Sequence, residues 1–450
     1  MTSIGIFIFH NDLRLYDNYG LRKMAKYCDV IVPVFIFTPQ QISVANKYRS
    51  LAAIQFMLAA LEFLEASIRQ MKGRLYYFYG DTSTIVRQLI KELNPSIICS
   101  NANYTPFALK RDEEIYDICE NRKCEFLLVE DYCLYDIGTI LNGSGKIYKK
   151  FTPFYNAAVK VKPNQILKGG NFRFLMPRLR TNIELKSMYS KFRLKPLKLT
   201  NPALMLKSLS RFGNYNAQRN NLNYETSYLS AYIKFGLVSV RQVYWILAEH
   251  RNKEMIKQLY WREFFINLAW DNPYVYGANF NRSYKAKWYT VPKHPYLIAW
   301  TQGKTGFPIV DACMTQLNST GYMHNRGRLI VAGFLTKVLG WHWRFGEMYF
   351  ATKLRDYDPA INNGNWQFVA GSGVDQQPYF RMFNPWLQSK AHDPKGEYIK
   401  HWCPVYKDVD PKILHNEAKL IAYAKTNKKI IKPIVNYAKQ AKIIKSKIYH

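Results

Sequence analysis

The sequence predicts an α/β fold: a doubly wound parallel-sheet domain followed by an all-helical domain. Three observations carry this reading. β-rich runs alternate with helix-like stretches over the first 130 residues, and that alternation stops beyond them. All ten tryptophans (245, 261, 270, 288, 300, 341, 343, 366, 386 and 402) fall in the remainder. Strands separated by helices form βαβ units, and βαβ units form a mostly parallel sheet.

The β-rich runs lie at 4–9, 30–37, 75–79, 97–100 and 125–129. Between the second and third, residues 50–72 carry Leu51, Ile54, Met57, Leu58, Leu61 and Leu64 at helical spacing. No GxGxxG follows the first run, so the common dinucleotide fingerprint is missing. From 131 to 204 Gly, Pro and Lys accumulate, which reads as a long basic connection crossing a surface. Its Gly143-Ser-Gly-Lys146 is a poor phosphate loop, because Ile147 stands where Ser or Thr is needed. Gly303-Lys-Thr305 lacks the first Gly, so both strings predict turns. Residues 205–450 read as mostly helical and end in a lysine-rich amphipathic segment at 433–449. A solvated face is its default reading and phosphate contact the sharper one. The expected divisions are 1–130, 131–204 and 205–450.

Lys and Arg number 64 against 32 acids, a net charge of +32. Such a chain repels itself unless its partner is a polyanion, and nucleic acid is the first candidate. A membrane surface or a generally basic proteome is the bland alternative. No uninterrupted apolar stretch reaches bilayer length, and the first ten residues read as a buried strand, not a signal peptide. Seven cysteines without a CxxC pair predict free thiols in a reducing, intracellular compartment with access to DNA; cytoplasm or nucleoid, nucleus and virion all fit.

Five strings concentrate chemistry: Tyr215-Asn-Ala-Gln-Arg219, Thr226-Ser-Tyr-Leu-Ser230, Trp261-Arg-Glu263, Met323-His-Asn-Arg-Gly-Arg328, and the run from Asp356 to Trp366. They supply hydroxyls, paired acids, amides and arginines beside aromatics, as a bound ring system with a phosphate tail requires. Asp356 and Asp358 could instead ligate Mg²⁺, but no phosphate loop accompanies them and no metal is expected. In order and near-spacing these strings resemble the photolyase/cryptochrome family, within it the class I enzymes acting on cyclobutane pyrimidine dimers. Gly303-Lys-Thr-Gly-Phe-Pro-Ile-Val-Asp311, Phe334-Leu-Thr-Lys337 and the string from Pro378 to Pro385 agree as well. The likeness runs from Asn11-Asp-Leu-Arg14 to the lysine-rich end. It implies an α/β antenna domain, a linker, and an all-helical FAD-binding domain.

By the same resemblance, Tyr215, Thr226, Ser227, Leu229 and Ser230 look like contacts to the FAD phosphates and ribityl chain. Asp356 and Asp358 look like the acids beside the ribityl and the ring, with Arg328 pairing with Asp356. Asn362 looks like the residue facing flavin N5, where an amide oxygen can accept from a protonated nitrogen. Trp366 and Trp343 match the inner and middle positions of an electron-transfer chain. The family's surface position falls on Thr290, and Trp288 is expected to serve instead, with Tyr289 the alternative. A second antenna chromophore (folate, deazaflavin or flavin) is implied without its identity.

The substrate end is implied to use Trp261 and Asn325, with Arg219, Arg326, Arg381 and Lys390 on DNA. A dimer is poorly stacked, so extruding it from the duplex is comparatively easy. The two histidines of enzymes acting on (6-4) photoproducts are missing, since Asn325 and Arg326 occupy the first motif and Leu329 the second position. Three departures alter the pocket: Gln258 for a Glu, Leu329 for a Met, and Phe368 for a second Trp wall. Slower or altered repair is expected, not its loss. The expected activity is a deoxyribodipyrimidine photolyase acting as a monomer on pyrimidine-dimer DNA, away from membranes. A cryptochrome-like photosensor, a (6-4) photolyase and a nucleic-acid binder without photochemistry are the alternatives.

Overall fold

A computed structural model of the chain describes residues 2–284, 286–374 and 382–448. It divides into two compact units, Met1–Gly213 with Ser227–Pro273, and Asn214–Thr226 with Tyr274–His450.

In the first unit, β1 (Ile4–Phe9), β2 (Val30–Phe37), β3 (Tyr76–Tyr79), β4 (Ile97–Asn101) and β5 (Glu125–Val129) form a sheet of order β3-β2-β1-β4-β5. Every pairing is parallel, with Ile6 opposite Val32 on one side and Ile98 on the other. The β-rich runs of the sequence thus become these strands, shifted by at most one residue at an end. The cause is visible in the burial. Ile6, Ile8, Val32, Val34 and Ile98 pack on one face with Val86 and Leu89 of the helix Thr82–Leu93 and Ile115 of the helix Pro106–Glu120. Each such side chain contributes roughly 1.5–3 kcal/mol when buried.

The helix Leu51–Gln70 begins where Ser50 accepts a hydrogen bond from the Ala53 amide at 3.1 Å. By length and composition alone it is apolar enough to cross a bilayer, yet it is not an uninterrupted apolar stretch. Gln55, Glu62 and Glu65 interrupt it, and Phe56 packs between Tyr232 and Phe235, so a core helix accounts for the composition.

Residues 131–204 are also more than a connection. They hold the helices Phe151–Ala158 and Leu185–Phe192, and bridges Ile31–Phe174 and Tyr77–Ile183 dock them on strand residues. Nor does the boundary fall at 204. Arg241 bonds Asp131 at 2.7 Å and Asp17 at 3.1 Å, and Arg14 bonds Asp131 at 2.6 Å, all of them buried. Burial alone would raise the Asp131 carboxyl, but Arg14 and Arg241 hold it below the usual range. Hydrophobic patterning is blind to such links between distant charges, so residues 227–273 read as part of the helical domain.

The second unit is helical among its described residues. Its core gathers Trp300, Phe307, Val310, Phe334, Leu335, Trp343 and Trp366. The helix Asn325–Gly333 runs into a π-helical turn, Phe334–Val338, and the last helix, Tyr437–Ile448, buries Ile444 in the same core. Gly303-Lys-Thr305 is a turn, as predicted, and the rest of the string leads into the helix Pro308–Thr320. Asp311 accepts from Thr305 N (2.7 Å), Thr305 Oγ1 (2.6 Å) and Gly306 N (2.9 Å). Gly306 has φ +72°, and a β-carbon there would run into the Lys432 carbonyl.

Candidate active site

The second unit carries the densest set of expected site residues. Asp358 caps the helix Pro359–Ala370, accepting from Ile361 N at 3.1 Å, and Pro359 suits the first helical position. One turn in, Asn362 is buried and donates from Nδ2 to the Glu347 carbonyl (3.1 Å) and to Glu347 Oε1 (3.0 Å). Both partners only accept, so the amide must turn its NH₂ to them, which leaves Asn362 Oδ1 as the acceptor. Glu347 is a positioning residue that sequence reasoning missed. Its buried carboxylate on the neighbouring helix Trp343–Lys353 has no motif to mark it.

Arg328 and Asp356 form the expected pair, Nη2 to Oδ2 at 2.8 Å, while Arg328 Nε donates to the Met323 carbonyl at 2.9 Å. Asp356 Oδ1 is buried without a hydrogen-bond partner among the described residues. An ionised carboxylate oxygen left so is costly, and a ligand hydroxyl or ring N–H would satisfy it. Thr226 Oγ1 and Tyr322 Oη lie 2.6 Å apart, and Arg328 sits 5.7 Å over the Tyr322 ring. The donor set therefore fits a polar, ring-bearing cofactor: an open carboxylate oxygen, an open amide oxygen and a half-buried arginine.

Trp366 is buried edge-on to Phe350 (5.0 Å) and Trp300 (6.2 Å). A β-carbon at Gly346 would collide with its ring, so glycine is required there. Trp343 is buried and donates from Nε1 to Asn279 Oδ1 at 2.8 Å. His342 links rings on either side, 5.6 Å from Trp343 and 4.8 Å from Trp288. Burial and the Arg344 charge push its imidazole down to about 4, so it is neutral at pH 7. Trp288 departs from its expected place at the surface. It is only 8% exposed, covered by Tyr284 and His342.

At the start of the helix Asn325–Gly333, His324 Nδ1 accepts from Arg326 N at 3.1 Å, so His324 is an N-cap. Arg326 Nη2 donates to Asn220 Oδ1 at 2.6 Å. Leu329 and Phe368 are partly buried against the second unit's core, and Lys390 lies in the last turn of the helix Pro385–His392. Tyr215 opens a short helical turn that ends at Arg219, both half-buried. Arg381 lies outside the described residues.

In the first unit, Ser227, Leu229 and Ser230 surround the start of the helix Leu229–Lys234, with Leu229 buried and Ser230 exposed. The units divide after Thr226, so the predicted phosphate string is split between them. Trp261 lies on the helix Lys253–Asp271, face to face with Phe151 at 3.5 Å and 5°. Gln258 donates to the Glu254 carbonyl at 3.1 Å, back along the same helix. Arg262 pairs with Glu263 at 2.7 Å, and Glu263 accepts from Leu134 N at 2.9 Å, so two-thirds of the Trp261–Glu263 string is scaffold.

The first unit has buried, unpartnered polar atoms of its own, which sequence reasoning left unassigned. Beyond β1 and in β4, His10 Nε2 and Ser100 Oγ are buried without partners among the described residues, as is Asp112 Oδ2 on the helix Pro106–Glu120. In the order β3-β2-β1-β4-β5 the chain reverses direction of progress between β1 and β4. Parallel sheets bind ligands beyond the carboxyl ends of strands at such a point.

Residues 6–168 match the family described as DNA photolyase, and residues 255–450 the one described as FAD binding domain of DNA photolyase. The deoxyribodipyrimidine photo-lyase of Escherichia coli (strain K12) is 33% identical, covering 97% of this chain and 96% of that protein. The archaeal photolyase from Sulfolobus tokodaii with two FAD molecules is 38% identical, covers 99% of both chains and has a TM-score of 0.87. A bacterial class III photolyase from Agrobacterium tumefaciens is 29% identical, covers 99% of this chain and 97% of that one, and has a TM-score of 0.89. With both halves matched and such relatives aligned nearly end to end, this chain belongs to the DNA photolyase family.

Proposed function

We propose that this protein is a deoxyribodipyrimidine photolyase, which uses light to split cyclobutane pyrimidine dimers in DNA. The observation that carries the reading is the near end-to-end similarity to photolyases of that named activity, in a chain whose open carboxylate and amide oxygens suit a flavin. Reduced FAD, when bound, supplies the photochemistry, a light-driven electron lent to the dimer and recovered after its ring opens.

The residues then have separable tasks. Asp356 Oδ1 offers an acceptor to the cofactor while Arg328 holds the other carboxylate oxygen at 2.8 Å. Asn362, held by Glu347, presents its amide oxygen and so favours a protonated ring nitrogen. Tyr215, Thr226, Ser227, Leu229, Ser230 and Asp358 are the remaining proposed cofactor contacts. Trp366 and Trp343 carry electrons inward before repair, with Trp288 reached through His342. Trp261, Gln258, Asn325, Leu329 and Phe368 are each proposed lesion contacts, and Phe151 stacks on the Trp261 ring. Arg219, Arg326, Arg381 and Lys390 neutralise phosphates. The test is repair of a thymine-dimer oligonucleotide by the reduced, FAD-loaded protein under near-ultraviolet or blue light. Dimers that persist under illumination sink the proposal.

The switch-point site in the first unit favours a second reading for that unit. We infer that it takes a light-harvesting chromophore, since His10, Ser100 and Asp112 leave polar atoms open there and the Sulfolobus tokodaii relative holds two FAD molecules. Mass spectrometry of chromophores released from purified protein tests this. Loss of a second chromophore in Asp112→Ala with FAD retained is expected.

A further inference from the structure

We propose that Asn220 and His392 complete, with Arg326, a proton-linked seat for one backbone phosphate of bound DNA. The inference rests on the reading of Arg326 as a DNA contact and adds two residues that no motif marks. Three segments of the second unit meet here. Arg326, in the first turn of the helix Asn325–Gly333, donates to Asn220 Oδ1 at 2.6 Å. The Asn220 carbonyl faces the ring of His392, the last residue of the helix Pro385–His392. The His392 carbonyl accepts from Leu222 N at 3.0 Å, which locks the helix end to the segment carrying Asn220. Asn220 thus holds a guanidinium with its side chain and steers an imidazole with its backbone.

The surrounding charges favour an anion. Arg219 and Glu225 lie on the segment of Asn220, while Lys390 and Asp393 flank His392 in sequence. His324 and Arg328 accompany Arg326. Two nearby carboxylates, Asp393 and Glu397, are already engaged. Asp393 accepts from the Tyr398 and Ile399 amides at 3.1 and 3.0 Å, and Glu397 accepts from Asn223 Nδ2 at 3.0 Å.

Partial burial, then the charge of Arg326, push the His392 imidazole down to about 4. At neutral pH it is therefore uncharged. A phosphodiester bonded to Arg326 places negative charge beside that ring, offsets the guanidinium's repulsion and offers an acceptor. The imidazole then takes up a proton from solvent and donates N–H to phosphate, with no bond broken in the DNA. The sign follows. His392 has the higher pKa in the complex, so affinity rises as pH falls through that value towards about 4, by at most about tenfold per pH unit for one proton. His324 has the same lowered value of about 4 but is buried and committed to capping its helix, which leaves His392 as the ring at the seat.

The experiment measures the affinity of the full chain for a thymine-dimer duplex at pH 7.5 and 5.5 and fixed ionic strength. Wild type, His392→Gln, Asn220→Ala and Arg326→Ala are compared, with thermal melts verifying the fold. Wild type should tighten about fivefold more than His392→Gln on acidification. Asn220→Ala should bind about three- to tenfold more weakly at pH 7.5, because Arg326 loses its anchor. Equal pH dependence in wild type and His392→Gln overturns the proton link, and unchanged binding by Asn220→Ala overturns the seat. Unchanged binding by Arg326→Ala is a different result, since it removes the reading of Arg326 itself. Calorimetry of wild type in two buffers of unlike ionisation enthalpy needs no variant. Uptake near one proton on binding at pH 5.5 supports the link, and zero uptake overturns it.

Discussion

Two buried polar clusters, one in each unit, look alike in composition and differ in completion. In the first unit, Arg14, Asp17, Asp131, Ser239 and Arg241 bond one another and neighbouring carbonyls. In the second, the Arg328–Asp356 pair leaves Asp356 Oδ1 unpartnered among the described residues, and Asn362 turns its oxygen away from Glu347. A completed network holds a fold and has nothing left to offer a ligand. An incomplete one bears an unsatisfied cost that a ligand relieves, and it is there that binding is to be sought.

The largest effect should come from breaking the completed network. Arg241→Met strips Asp17 and Asp131 of their shared partner and should cost about 3–5 kcal/mol in denaturant unfolding of the first unit. A loss below about 1 kcal/mol would mean that this cluster is not structural. Asp356→Asn should instead weaken FAD retention by about ten- to a hundredfold, or about 1.4–2.7 kcal/mol, with a smaller change in unfolding. If the two variants unfold alike and keep FAD alike, the contrast between the clusters fails.

A smaller effect sharpens the comparison through pH. Burial, with the charges of Arg326 and Arg328, lowers His324 from 6.5 to about 4. The unfolded state therefore binds the proton more readily, and stability falls as pH drops from 6.5 towards about 4. Asn is also a good N-cap but does not titrate. His324→Asn should remove about 2 kcal/mol of the loss between pH 7.5 and pH 5. Asp311 opposes this trend, because burial raises it to about 6 and its contribution grows as pH falls below that value. Urea unfolding at the two pH values measures the difference, and an unchanged pH dependence would reject the role. Smallest in barrier terms, Trp366→Phe should slow flavin photoreduction by about tenfold or more, near 1.4 kcal/mol, and spare repair by chemically reduced protein. Equal losses in both assays would show that Trp366 serves the site some other way.

The strands were legible to within one residue because burial on both sheet faces demands continuous Val/Ile/Phe runs, and Ser50 announces the start of its helix. The site was legible as strings, Arg328 with Asp356 among them. Glu347 and Asn220 were not, because neither belongs to a motif and each is marked only by the group it holds, Asn362 or Arg326, once the chain has folded. Trp288 was expected at the surface on register alone, whereas Tyr284 and His342 bury it.

By itself the sequence determined the parallel sheet, the helical remainder, the basic charge and the family with its flavin. Those rest on local periodicity, composition and ordered motifs, which survive without coordinates. Only the tertiary structure decided that residues 227–273 join the first unit, that Asn362 presents oxygen, and that Asp356 keeps one oxygen open. Each depends on which distant group satisfies which polar atom, and that choice exists only once the chain has closed on itself.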